Sequence, residues 1–202
     1  MRPMLFVVVT TGSLVLAAIG CRSAPEREGD AAPSETTAAS SASVPSDLPS
    51  HVALEGMLSP PFSAEQLRQA HPVGLVRVFE IRAADGSTGR RRSEVVESSA
   101  TAVTFEDILI DSGDPPKRST ATWEELVGHA AHYPTEYSTV RNAKRTSELG
   151  TFDCWVYAMT SPDGAASEFW FARSQPGPPI LYTQRRGDIV DFEMELVELH
   201  RP

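Results

Sequence analysis

Val190-Asp191-Phe192-Glu193-Met194-Glu195-Leu196 sets Val190, Phe192, Met194 and Leu196 in alternation with three acids. Side chains alternate across a β-strand, so one face of this segment is dry and the other wet, the pattern of an antiparallel sheet covered on one side. Ile189, Phe192, Leu196 and Leu199 are also roughly helix-spaced. The regular alternation, and the turn Arg186-Gly187-Asp188 just before it, favour the strand. Asp191, Glu193 and Glu195 admit a second reading as paired acids or calcium ligands, but a solvated sheet face explains them without chemistry. The Arg186–Asp188 tripeptide matches an integrin-binding motif in letters only, since it fills a hairpin turn.

Upstream of this strand the same logic repeats. Runs of branched and aromatic residues at about 140–147, 151–160, 167–173 and 180–186 are separated by Ser161-Pro162-Asp163-Gly164 and Pro176-Gly177-Pro178-Pro179. Before them, Thr122 and Glu125 spell a capping box, and Trp123, Leu126, Val127, Ala130 and Ala131 form one apolar helical stripe that Tyr133-Pro134 ends. Further upstream lie strands at Thr101 to Ile110, Glu94 to Glu97 and Leu75 to Ile81, the last two joined through the turn Ala84-Asp85-Gly86-Ser87. A first helix starts at Ser63 with Gln66 reaching back and Phe62 stapled onto Leu67, and Pro72 and Gly74 stop it. The expected fold is α+β and mainly β: an antiparallel sheet of about eight strands with two short helices packed on one face.

The chain before this domain reads differently. Met1 to Gly20 has a positive start at Arg2, an apolar run from Met4 to Ile19 and small residues at its end, as in an export signal. It is short for a membrane-spanning helix, which needs ~20 apolar residues. Ala18-Ile19-Gly20-Cys21 resembles the lipobox of bacterial lipoproteins, with Ala18 where Leu is usual. The resemblance implies that Cys21 becomes the lipidated first residue of the mature chain. An ordinary cleaved signal and an uncleaved anchor are the alternatives, and all three place the rest of the chain outside the cytoplasm. Two acyl chains give stable attachment at ~0.8 kcal/mol per buried methylene. Arg22 after the cysteine, by resemblance to the same class, favours the outer membrane, with the domain facing the periplasm or the cell surface.

Residues 22–50 are mainly Ala, Ser, Thr, Pro and Glu, with no aromatic residue and almost no branched aliphatics, so they bury too little apolar area to offset ordering. They are expected to form a disordered tether with a root-mean-square reach of ~30 Å. The organisation is therefore a signal peptide at 1–20, a lipidated Cys21 and tether to 50, and one β-rich domain at 51–202.

A second resemblance concerns the domain. Leu149-Gly150-Thr151-Phe152-Asp153-Cys154-Trp155-Val156-Tyr157, Glu168-Phe169-Trp170-Phe171-Ala172 and the Pro176–Pro179 turn resemble a pattern in secreted bacterial proteins related to the lipoprotein carriers LolA and LolB. It covers about 50 of 202 residues. It implies a curved antiparallel sheet with helices plugging the concave side, where the carriers hold acyl chains.

Candidate chemistry is sparse. A net charge of −9 argues against a nucleic-acid surface, and Arg90, Arg91 and Arg92 read as a solvated hairpin edge that discourages strand pairing. Glu125, His129 and His132 are spaced to share a helix face and are the only weak metal-ligand candidates, short of a fourth ligand; a metal-dependent enzyme using His129 and His132 is the least favoured reading. Cys154 sits inside a strand, where a thiol behaves as a small inert apolar group. No phosphate-binding loop, dinucleotide fingerprint or nucleophile elbow appears, and no cofactor is implied. Trp123, Trp155 and Trp170 are candidates to line an apolar pocket, with core packing as the plain alternative. The functional expectation is a non-enzymatic, lipid-anchored envelope lipoprotein that binds an apolar ligand or an envelope protein through its sheet. Its alternative is a structural lipoprotein without a pocket.

Overall fold

The structure is a computed structural model that describes residues 54–202; the segments expected to be signal peptide, lipidated Cys21 and tether all lie outside them. Both capping boxes form as the sequence predicts. Ser63 Oγ accepts from Gln66 N at 3.1 Å while Ser63 N donates to Gln66 Oε1 at 2.9 Å, starting α1 (Ala64–Ala70). Thr122 and Glu125 do the same for α2 (Trp123–His129) at 3.2 and 2.7 Å. These reciprocal bonds satisfy amide donors that a seven-residue helix cannot satisfy internally.

The strands are β1 (Val76–Ala83), β2 (Thr88–Ser98), β3 (Ala102–Ile110), β4 (Lys117–Thr122), β5 (Ser138–Ser147), β6 (Gly150–Thr160), β7 (Ala165–Ala172), β8 (Leu181–Arg186) and β9 (Ile189–His200). All pair antiparallel in one open sheet of order β4-β3-β2-β1-β9-β8-β7-β6-β5. Two meanders, β1–β4 and β5–β9, are thus sewn together by the β1–β9 pair. The connection carrying α2 runs from one edge of the sheet to the other. A single antiparallel sheet with short helices on one face is the architecture expected from the sequence, with nine strands among the described residues where about eight are expected.

Two departures have physical causes. The additional strand, β4, reads Lys-Arg-Ser-Thr-Ala-Thr; as an edge strand it buries only Ala121, so it carries no apolar alternation to reveal it. Arg90, Arg91 and Arg92 are not at a hairpin edge but inside the sheet, because β2 lies between β1 and β3. Alternation resolves the triplet. Arg90 pairs with Glu198 and Arg92 with Glu94 on one face, while Arg91 lies over the Phe79 ring at 5.3 Å on the other.

Register defines the two faces. Val140, Tyr157, Phe169, Tyr182, Met194 and Ile81 are direct neighbours in a row running from β5 to β1 on the face that meets the helices. One residue along each strand, Arg141, Val156, Trp170, Leu181, Glu195 and Glu80 form the row on the opposite face. We call these the inner and outer faces.

On the inner face, Trp123, Leu126, Val127 and Ala130 of the predicted stripe join a core with Phe62, Leu67, Val95, Val103, Tyr157 and Phe171. Ala131 lies beyond the helix end. The outer face carries Arg82–Glu193 at 3.0 Å, Arg118–Glu106 at 2.8 Å and Arg141–Glu168 at 3.0 Å. Glu193 and Glu195 are therefore ion-paired and half-buried rather than simply solvated.

Arg145 of β5 meets Glu195 of β9 at 2.6 Å. A flat sheet would separate these strands by roughly 19 Å at ~4.8 Å per step, beyond the reach of the two side chains. The β5–β6 ribbon therefore bends over the outer face, where Leu149 from its turn packs against a cluster with Phe152, Cys154 and Val156.

Candidate functional site

The aromatic residues of the inner face form a connected set. Tyr133, from the segment after α2, packs on Tyr157 at 4.7 Å and on Phe169 at 5.5 Å; Phe169 stacks on Tyr182 at 4.5 Å, and Tyr182 meets Phe192 at 5.4 Å. Phe62 leads into α1 and meets Trp155 at 5.8 Å and Phe171 at 6.0 Å. These rings exist as neighbours because β6 and β7 place their odd-numbered residues on one face in register. Burial pushes the Tyr133 and Tyr157 phenols well above their ordinary range, and the Tyr157 hydroxyl donates to Ser59 O at 2.7 Å.

The structure separates the three tryptophans. Trp123, 2% exposed, and Trp155, 6% exposed, belong to the inner core. Trp123 Nε1 donates to Ser99 O at 3.1 Å. Trp170 points to the outer face, half-buried beneath the Arg141 guanidinium at 5.1 Å, so the three do not line one pocket. Trp155 differs from Trp123 in one respect. Its Nε1 is buried with no hydrogen-bond partner among the described residues, although Arg173 covers the ring at 5.0 Å. A buried indole N–H without an acceptor is uncommon.

Glu125 and His129 share a face of α2 at i and i+4, but His132 lies beyond the helix end, so the three do not form the single helical face that the spacing suggests. The Glu125 carboxylate is held by Thr122, His129 is the last residue of α2, and His132 follows the helix. Among the described residues no group of three His, Cys, Asp or Glu side chains gathers in a metal-binding arrangement. Cys154 is fully buried, and burial pushes its thiol up to about 11, which keeps it protonated near neutral pH.

A depression of about 140 Å³ opens at the β2–β3 end, lined by Arg91, Asp107, Leu109, Asp114 and Lys117 among others. Its charges are of both signs and favour no ligand class. Sequence reasoning missed His71 and Arg77, both buried on the inner side. The available signal was the position of Arg77, which has the same strand parity as Phe79 and Ile81.

No family model matches the chain, and no curated protein does. Among solved structures, a crystal structure of MucB in complex with MucA(peri) is similar at 15% identity, covering 68% of this chain and 53% of that one, with a TM-score of 0.48. A crystal structure of MucB is similar at 10% identity over 67% and 56%, also with a TM-score of 0.48. The chain spans little more than half the length of the MucB chains it matches. Likeness at this level carries no functional argument.

Proposed function

We propose that the chain is a non-enzymatic lipoprotein of the bacterial cell envelope, anchored through lipid on Cys21, whose sheet binds an envelope protein. The observation that supports the binding half is the free edge of β5, ten residues that pair with β6 alone among the described strands. A long strand edge offers a row of backbone donors and acceptors to an added strand, with alternate side chains setting specificity. The anchor rests on the sequence around Cys21, and Arg22 favours the outer membrane.

An apolar ligand is the second reading, supported by the half-buried Phe169, Tyr182 and Phe192 and by the unpartnered Trp155 Nε1. Trp123 and Trp155 then line the site, and Trp170 lies outside it.

Fractionation of bacteria producing the full chain tests the anchor: wild type sediments with membranes, and Cys21→Ser is released. A photo-crosslinking side chain at the exposed Asn142 of β5 tests the binding half. One envelope protein trapped there, and lost on Asn142-adjacent charge reversal at Lys144, is the expected result; no adduct from any β5 position contradicts it. A saturable shift of tryptophan emission with fatty acids or phospholipids supports the second reading instead.

A further inference from the structure

Arg77 lies in Leu75-Val76-Arg77-Val78-Phe79, a run otherwise apolar, and its side chain turns inward with that of Phe79. It is 7% exposed. His71, at the end of α1 and 1% exposed, walls one side of it. The Pro176–Pro179 turn closes another. A Cβ on Gly177 would stand 2.8 Å from Arg77 Nη2 and 3.4 Å from His71 Cε1, so only glycine allows the turn to approach this closely.

The enclosed guanidinium is poorly matched by the protein. Nη2 donates to Pro176 O at 3.4 Å, which is long for such a bond. Among the described residues Nε and Nη1 have no acceptor, yet neither nitrogen is sealed from solvent. Among the described residues no carboxylate pairs with Arg77. The neighbouring charge is another cation, Arg201: His200 pairs with Val76, and Pro202 Cβ lies 3.4 Å from a Cβ built on Gly74, which carries Arg201 back along β1. That charge adds to burial in lowering the Arg77 pKa to about 10.

Buried charges in folded proteins are almost always paired, and a guanidinium fork takes planar carboxylates and phosphates through parallel N–H···O bonds. We propose that Arg77, with Arg201 at its rim, forms an oxyanion site that accepts a carboxylate or a phosphate group between α1, β1 and the Pro176–Pro179 turn. The anion supplies the acceptors that Nε and Nη1 lack and separates the two guanidinium charges. The site lies on the inner side of the sheet and does not depend on the reading of the β5 edge.

Thermal unfolding of the full chain in detergent, with phosphate or acetate replacing chloride at constant ionic strength, tests the site. Wild type is expected to show a saturable rise in Tm with at least one of the two anions. Arg201→Gln, at an exposed position, weakens the apparent affinity several-fold, and Arg77→Gln abolishes the rise. A response to phosphate alone assigns the site to phosphate groups, and a response to acetate alone assigns it to carboxylates. No saturable rise with either anion overturns the proposal. An undiminished rise in Arg77→Gln does so too. If Arg77→Gln does not fold, an undiminished rise in Arg201→Gln overturns it.

Discussion

The two faces of one sheet are held by different forces. The inner face is a row of rings and aliphatic side chains closed by α1, α2 and Tyr133; much of the outer face is a lattice of ion pairs, with Arg82–Glu193, Arg118–Glu106, Arg141–Glu168 and Arg145–Glu195. Buried rings contribute through the area they remove from water and through close packing, whereas half-exposed ion pairs are screened and worth little individually. The difference teaches that stability resides on the helix-covered side and, on the other side, in the apolar cluster of Phe152, Cys154 and Val156 beneath the β5–β6 ribbon. The ion-paired remainder of the outer face stays polar and changeable.

The sharpest way to break that contrast is to damage the inner row. Tyr157→Ala removes a fully buried ring and its bond to Ser59, and should cost about 3–5 kcal/mol in urea unfolding. Tyr157→Phe separates the two contributions, because it keeps the packing and should cost only about 1 kcal/mol. A Tyr157→Ala loss no greater than that of an outer-face variant contradicts the division.

The inner face should also give the protein its pH response. His71 donates through Nδ1 to Leu67 O at 2.6 Å and lies against Phe105 and Trp123; burial, then the Arg77 charge, lowers its pKa to about 4 from the usual 6.5. The unfolded chain takes up a proton near pH 6.5 that the folded chain refuses until about pH 4. The contribution is therefore intact above pH 6.5 and declines as pH falls towards 4, by about 3 kcal/mol in all. Denaturant unfolding from pH 7.5 to 5 should show the first part of that fall in wild type and a flatter line in His71→Gln.

Outer-face changes should be smaller. A double-mutant cycle on Arg145→Gln and Glu195→Gln is expected to give a coupling of about 1 kcal/mol, the upper end for a pair this exposed, because it also holds down the bent β5–β6 ribbon. Lys144→Ala should change stability by less than about 0.5 kcal/mol, since its pair with Asp153 is 3.6 Å long and mostly exposed.

How much of this was legible depends on the range over which each feature is encoded. Both capping boxes are complete within four residues, and the β9 alternation within seven, so each could be read directly from the chain. The β1–β9 pair that unites the two meanders joins residues more than a hundred positions apart, and no local pattern announces it. The Arg90–Arg92 triplet looked solvated because each of its partners is supplied by another strand or by alternation within its own. The tryptophans were legible as buried mass but not as neighbours. Trp155 and Trp170 lie on opposite faces, and Trp123 joins Trp155 only because the connection crosses the sheet.

The proposed anchor, Cys21, lies outside the described residues. Mass spectrometry of the N-terminal peptide from membrane-extracted protein tests this most directly. The account predicts a chain that starts at Cys21 with a diacylglyceryl thioether. A chain that retains residues 1–20, or that carries an unmodified thiol at Cys21, would contradict it.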